Sequence, residues 1–247
     1  MTGLLTSDPA QAFWQGVRDT MPLIVGAIPF GLIFGTLAAS SGLSAGAAVA
    51  MSALVFAGSS QFIALGLWAS QTPILLIMAT TLIVNLRHLL YAAGLVPYIP
   101  NLPPLWRLAL GFWLTDETFM VVIRRYQRRD PDPHVRWYHL GSALSMYINW
   151  QACTILGVTL GGYLPNAAAW GLDFAMVATF IGLVIPYVVH QGVNRPMLAT
   201  VVVSGAVAVL ARGLPHQLGL MVAALAGITV GFGLDLAQSP QQQLPSP

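Results

Sequence analysis

FAGSSQFIALGLWASQTPILLIMATTLIVNLRHLLY, residues 56–91, decides how this chain folds. The stretch is too apolar for the surface of a soluble protein. It nevertheless carries two polar clusters, Gly58-Ser59-Ser60-Gln61 and Asn85-Leu86-Arg87-His88, inside what read as membrane spans. A polar or ionised group in hydrocarbon is costly and needs a partner or an aqueous cavity. The two clusters therefore point to function within the bilayer.

The rest of the sequence has the same character. Of 247 residues, 56% are hydrophobic and 7% charged, whereas soluble domains carry about 25% charged residues. Apolar runs of roughly 20 residues, the length that crosses a bilayer, recur with little soluble-looking sequence between them. The expected fold is all-α: a polytopic helical membrane protein of about eight transmembrane segments, or seven plus a re-entrant element, with some helices broken. The strands of an outer-membrane barrel, alternating over about ten residues, are absent. The ten basic residues are all Arg, and five of them lie in 124–137. That concentration is a topology signal, not a nucleic-acid groove. The single Cys153 excludes an intrachain disulfide and a cysteine metal cluster, and suits a small packing residue in a helix. The N-terminal sequence has no basic start, apolar run and cleavage site, so the first span is expected to direct insertion.

The chain reads as one membrane domain over 1–247. Residues 1–17 form a short cytoplasmic or interfacial segment, with Phe13 and Trp14 at the membrane edge. Span 1 is about 21–40; Pro29 predicts a break near Ala27–Gly31, and Gly26, Gly31 and Gly35 allow close helix approach. Span 2 is about 45–69, interrupted at Gly58-Ser59-Ser60, so a broken helix or a re-entrant pair is expected there. Span 3 is about 73–95, with Arg87 free to snorkel to the interface. A proline-rich loop follows, then span 4 at about 105–123, containing Asp116 and Glu117. The charged loop 124–137 is cytoplasmic by its arginine excess, and His134 and His139 beside Arg136 read as solvent or interface residues. Span 5 is about 138–161, with a polar stripe of Tyr147, Asn149, Trp150 and Gln151. Span 6 is about 168–189, with Asp173. Two further segments, about 196–211 and 215–234, precede a disordered tail, 237–247. An internal N-terminus puts Arg18 and Arg195 inside and Arg107 and Arg212 outside. The halves 1–123 and 138–236 are similar in size, and ALVFAGSSQFIAL faintly resembles AMVATFIGLVI, which hints at an internal repeat.

No HExxH, GxSxG or phosphate-binding loop appears, so there is no candidate catalytic residue, metal ligand or cofactor site. The polar groups are few, dissimilar and separated, unlike the repeated filter or charge ring of a channel. They suit a midplane site for one small solute. Candidates for substrate binding or ion coupling are Gly58, Ser59, Ser60, Gln61, Asn85, Arg87, His88, Asp116 and Glu117, with Pro29 and Gly31 as helix-break or gating residues. Broken helix ends expose N–H groups to a substrate carboxylate. Asp116 or Glu117 suits an ammonium or a coupling proton, and Arg87 suits either neutralising one of them or clamping the carboxylate. An amino acid with an aliphatic side chain fits this chemistry; so do other small polar-headed solutes, an ion channel, or a structural subunit whose partner carries the site.

At the same residues the chain resembles a known family. PLIVGAIPFGLIFG (22–35), FAGSSQF (56–62), NLRHLLY (85–91) and LTDETF (114–119) look like the AzlC family of bacterial branched-chain amino acid permeases, and GLDFAMVATF (171–180) resembles a later block of the family. The resemblance covers most of 13–235. It implies a multi-pass protein of the bacterial cytoplasmic (inner) membrane. It also implies export of valine, leucine, isoleucine and, in some members, methionine, driven by the proton gradient. Members resemble the large subunit of a two-component exporter, so a small AzlD-like membrane subunit is the implied partner, with a higher oligomer possible.

Overall fold

The computed structural model describes residues 8–128, 133–161, 181, 185, 188–189, 194–214 and 218–238. The chain falls into two compact units, Met1–Trp170 and Gly171–Pro247. Asp173, nearly all of the segment 168–189 and the tail beyond Gln238 lie outside the described residues.

The first unit is built on two long helices, α1 (Pro9–Ser40) and α8 (Val135–Gly161). Asp8 caps α1 by accepting from the Ala10 N–H, with Pro9 preset for the first turn. Residues 9–17 are thus the first turns of this helix, not a separate segment ahead of it. The helix also runs through Pro22 and Pro29 without interruption, so the break expected at Ala27–Gly31 does not form. Close packing on α8 holds it together there, with Gly31 lying against Cys153.

α1 and α8 run side by side in the same direction. Gly16 meets Tyr138 and Ser142, Gly35 meets Thr154 and Gly157, and Gly161 meets Thr36 and Ala39. Small residues spaced by four let the two backbones approach, as the Gly31–Gly35 spacing predicts. Hydroxyls fasten the seam: Thr20 donates to Ser142 at 2.7 Å and Thr36 to the Gly157 carbonyl at 3.1 Å. Cys153 is buried within it, as expected.

Two hairpins and one crossing helix fill the space between α1 and α8 in sequence. α2 (Ala45–Val55) is capped by Ser44, and α3 (Gly58–Ala69) follows after a two-residue turn. Phe56 of the turn packs on Tyr147, midway along α8. α3 then returns to the end where α2 began, because Met51 of α2 packs with Ala64 and Leu67 of α3 and Ile77 beyond it. Residues 45–69 are thus two short helices folded back on each other, not one helix with a break along a single path.

α4 (Ile74–Asn85) and α5 (Arg87–Leu95) cross the unit in the opposite direction to α1. Leu95 reaches Ala12 and Tyr138, near the starts of α1 and α8. The stretch Ile74–Tyr98, like Pro9–Ser40, is long and apolar enough to cross a membrane. The second hairpin enters from that end. α6 (Pro104–Phe112) starts with Trp106 against Trp137 and ends beside Trp113, which reaches Tyr147. α7 (Asp116–Tyr126) goes back down, placing Tyr126 on His139 and Arg125 over Tyr138.

Residues 105–123 are therefore not one through-going helix, and Arg107 sits at the same end as Arg18, Arg125 and Arg136, not at the opposite one. His139 is not a solvent or interface residue either. It is a buried residue of α8, 1% exposed, 3.3 Å from the Tyr126 hydroxyl, because α8 already begins at Val135 and Tyr126 covers it.

In the second unit, α9 (Arg195–Leu210) and α10 (Leu218–Gln238) form an antiparallel pair. Asn194 caps α9, and Gly227 and Gly231 of α10 pack on Thr200. At 16 residues α9 is about 24 Å long, short for a perpendicular crossing.

This path predicts a labelling pattern. With Cys153 buried and silent, cysteines placed at Ser44 and Gln71 are expected to react with an impermeant maleimide from one side of the membrane. Cysteines at Asn101 and Gln127 should react from the other. Labelling of Asn101→Cys from the Ser44 side would contradict the second hairpin.

Candidate functional site

The candidate residues gather where the two hairpin turns meet α8. In the first turn Phe56 takes a left-handed backbone (φ 41°), uncommon for a bulky residue. Its ring is buried and lies edge-on to Tyr147 at 4.9 Å. Tyr147 also donates to the Ala53 carbonyl at 3.2 Å, which fixes the last turn of α2. One turn along α8, the Trp150 indole N–H donates to Gln61 Oε1 at 3.1 Å, and the ring covers Gly58. A Cβ at Gly58 would lie 2.9 Å from the Trp150 ring, so glycine is what lets the indole close over the start of α3. Phe34 stacks behind Trp150 and meets Phe62 edge-on, tying the hairpin to α1.

Trp113, in the second turn, lies 6.0 Å from the same Tyr147 ring. Thr115 caps α7 by accepting from the Thr118 N–H at 3.3 Å. Asp116 and Glu117 fill the first turn of α7, where the helix dipole favours carboxylates. Arg87, the first residue of α5 after the irregularity at Leu86, pairs with Asp116 at 2.5 Å. Both side chains are largely enclosed, 29% and 21% exposed. Arg87 is thus paired between helices and does not snorkel to an interface. His88 Nδ1 lies 3.2 Å from the Asn85 carbonyl, freed by the irregularity, and its ring meets Tyr91 edge-on. Tyr91 stacks on Phe119 of α7 at 4.9 Å.

The expected residues thus fall into two groups. Arg87 and Asp116 are in direct contact, with Asn85, His88 and Glu117 beside them in sequence. Gly58 and Gln61 gather under Trp150, with Ser59 and Ser60 between them. Tyr147 touches the turns that precede both groups. Pro29 lies within α1, five residues before Phe34. A cavity of about 390 Å³ lies elsewhere, between the arms of the first hairpin and α4, lined by Ser44, Met51, Leu65, Trp68 and Ile77. None of the candidate residues lines it.

Several buried polar atoms around the turns have no hydrogen-bond partner among the described residues: Ser59 Oγ, Gln61 Nε2, Asn85 Oδ1, Arg87 Nε, Trp113 Nε1 and Asp116 Oδ1. Buried polar groups are normally satisfied, and unpaired ones gathered in one region mark a place for water or a ligand.

Sequence reading missed the residues that join the hairpins. A signal was present: Phe56 and Phe62 recur at the same spacing as Trp113 and Phe119, and the residues between align as Ala57 with Leu114, Ser59 with Asp116 and Ser60 with Glu117. The path α2–α3–(α4, α5) is retraced upside down by α6–α7–α8. Residues 45–161 thus contain an inverted pair of like paths. The segment AMVATFIGLVI, expected to carry a repeat, lies almost wholly outside the described residues.

Comparison with known proteins gives the family. The family model described as "AzlC protein" matches residues 22–164. The "Inner membrane protein YgaZ" of Escherichia coli (strain K12) is 28% identical over 94% of this chain and 93% of its own length. An "Uncharacterized membrane protein" of Archaeoglobus fulgidus is 30% identical over 87% of this chain and 92% of its own. The "Branched-chain amino acid transport protein AzlC" of Bacillus subtilis (strain 168) is 28% identical over 89% of this chain and 85% of its own. No solved structure matches. With a family model spanning more than half its length and two helices of membrane-crossing length and composition, this chain is a membrane protein and belongs to the AzlC family.

Proposed function

We propose that this chain is the large subunit of a secondary transporter that exports branched-chain amino acids. Its substrates are valine, leucine and isoleucine, with methionine as a further one, and the proton gradient across the bacterial cytoplasmic membrane drives export. It works with a small AzlD-like membrane subunit. The observation that carries the reading is the pair of opposed hairpins, whose polar turns converge on Tyr147 and bring Arg87 onto Asp116. Inverted hairpins enclosing polar groups at mid-depth are how carriers expose one site to alternate sides. The likeness to the transport protein of Bacillus subtilis supports the substrate class. Substrate and coupling ion are held among Gly58, Ser59, Ser60, Gln61, Asn85, Arg87, His88, Asp116 and Glu117.

Orientation follows from charge. Among the described residues of 8–161, every charged residue except Arg87, Asp116 and Glu117 falls at the end where α1 begins. The turns at 41–44 and 70–73 carry none. By the positive-inside rule the start of α1 and the 124–137 loop face the cytoplasm.

Counterflow of labelled leucine in proteoliposomes, with and without the small subunit and under an imposed pH gradient, tests the proposal. Saturable flux that responds to the gradient is expected from the complex. Absence of saturable flux sinks the proposal, and flux that does not saturate points to a channel.

A further inference from the structure

The two hairpins present alike helix starts with unlike chemistry. α7 supplies its own negative charge and its own cap, through Asp116, Glu117 and Thr115. At the matching positions α3 has Ser59 and Ser60, and no side chain caps its N-terminus, which follows Ala57. The first N–H groups of a helix have no partner within it and carry its positive dipole end.

Gln61 shows what this end lacks. It is fully buried, 0% exposed, in the second turn of α3. An indole N–H can only donate, so the bond from Trp150 fixes the amide oxygen of Gln61 on that side. The Nε2 donor is left without a partner. Trp150 covers Gly58 as well as bonding Gln61, so the amide sits beside the first turn, the direction in which helical side chains lean. Ser60 Oγ is committed to the Ala57 carbonyl at 2.9 Å, while Ser59 Oγ is buried and unpaired. The free groups are hydrogen-bond donors: backbone N–H groups, the Ser59 hydroxyl and the Gln61 amide. Residues 56–62 include no cationic side chain, and the charge of Arg87 is already met by Asp116.

We infer that the start of α3 is a carboxylate site, in which the N–H groups of the Gly58–Ser60 turn, Ser59 Oγ and Gln61 Nε2 hold the carboxylate of the transported solute. The transported solute supplies to α3 the negative charge that Asp116 and Glu117 supply to α7. The inference rests on the transporter reading for the identity of that solute, and it assigns the carboxylate to the first hairpin and not to Arg87.

The test is calorimetric binding to the purified complex of leucine, of 4-methylpentanoate, which lacks the amine, and of leucinamide, which lacks the carboxylate. Gln61→Met keeps the side-chain length and removes the donor. It is expected to weaken leucine and 4-methylpentanoate about tenfold, the size of one hydrogen bond to a charged group. Leucinamide, weaker from the start, should be unchanged. Ser59→Ala should weaken the same two ligands to a smaller extent. A Gln61→Met variant with the wild-type melting temperature and undiminished affinity for both carboxylates overturns the assignment, as does a wild-type complex that binds neither. If that variant loses carboxylate binding while wild-type leucine counterflow is absent, the site stands and the export reading falls. If leucine counterflow and binding are both intact in the variant, the carboxylate site falls and the export reading stands.

Discussion

Asp116→Ala is expected to abolish counterflow and to destabilise the protein by about 2–3 kcal/mol, because it leaves the Arg87 guanidinium without its counter-charge. A lone arginine at mid-depth costs on the order of 3 kcal/mol on insertion scales, and removing one partner of a buried pair costs about 3–5 kcal/mol. The partial exposure of this pair brings the figure just below that range. The reverse change, Arg87→Met, is expected to cost less, since a stranded carboxylate can take up a proton and a guanidinium cannot lose one. The double variant Arg87→Met/Asp116→Leu removes both charges and fills similar volume. It should recover the wild-type melting temperature, as apolar replacements of buried pairs generally do, while flux stays at least a hundredfold down. Melting in detergent and counterflow on the same preparations separate the two roles. A double variant that transports normally would reduce the pair to a structural pin between α5 and α7.

The helical class, the polar interruptions at 58–61 and 85–88 and the close packing at Gly31 and Gly35 of α1 are legible in the sequence, because each is local; Gly26, expected to pack with them, meets nothing within 4 Å, and Gly16, which does pack, goes unmarked. Cost in hydrocarbon marks the polar residues, and spacing by four marks Gly31 and Gly35. The hairpins are harder to see, since two half-length helices add up to the length of one span. Residues 45–69 at least contain Gly58 as a turn signal. Residues 105–123 contain no proline or central turn glycine at their reversal. That turn is made by Trp113, Leu114 and Thr115, with Leu114 buried beside Val122 and Thr115 as the cap. Only the recurrence of Phe56 and Phe62 as Trp113 and Phe119 betrays it. Arg87 is a different case: close to a predicted boundary it could snorkel equally well, and its pairing depends on where the second hairpin brings Asp116. Pro29 misleads because a proline breaks a helix only when its neighbours allow it. Here the backbone of α8 lies too close for α1 to bend away.

That closeness sets up the other large effect, at Gly35 and Gly157. A Cβ added to Gly35 would overlap the Thr154 carbonyl oxygen and come within 2.7 Å of the Val158 nitrogen; one added to Gly157 would overlap the Leu32 carbonyl oxygen. These are backbone atoms of a facing helix and cannot swing aside as a side-chain tip can. Gly35→Ala and Gly157→Ala are each expected to cost about 2–3 kcal/mol, the upper part of the overpacking range, despite the better helix propensity of alanine. Gly26→Ala and Gly46→Ala are the controls. A Cβ at either position meets nothing within 4 Å, and both variants should melt at or slightly above the wild-type temperature. Transport should fail before the fold does. Thr154 holds Ser52 of the first hairpin at 2.8 Å, and one turn before it on α8 Trp150 holds Gln61. Pushing α8 outward at Gly35 therefore drags the first turn of α3 away from its place. Leucine flux in Gly35→Ala is expected to drop at least tenfold at temperatures where the variant is still folded. Wild-type flux in a destabilised Gly35→Ala would mean that the seam between α1 and α8 supports the fold alone and has no part in positioning the site.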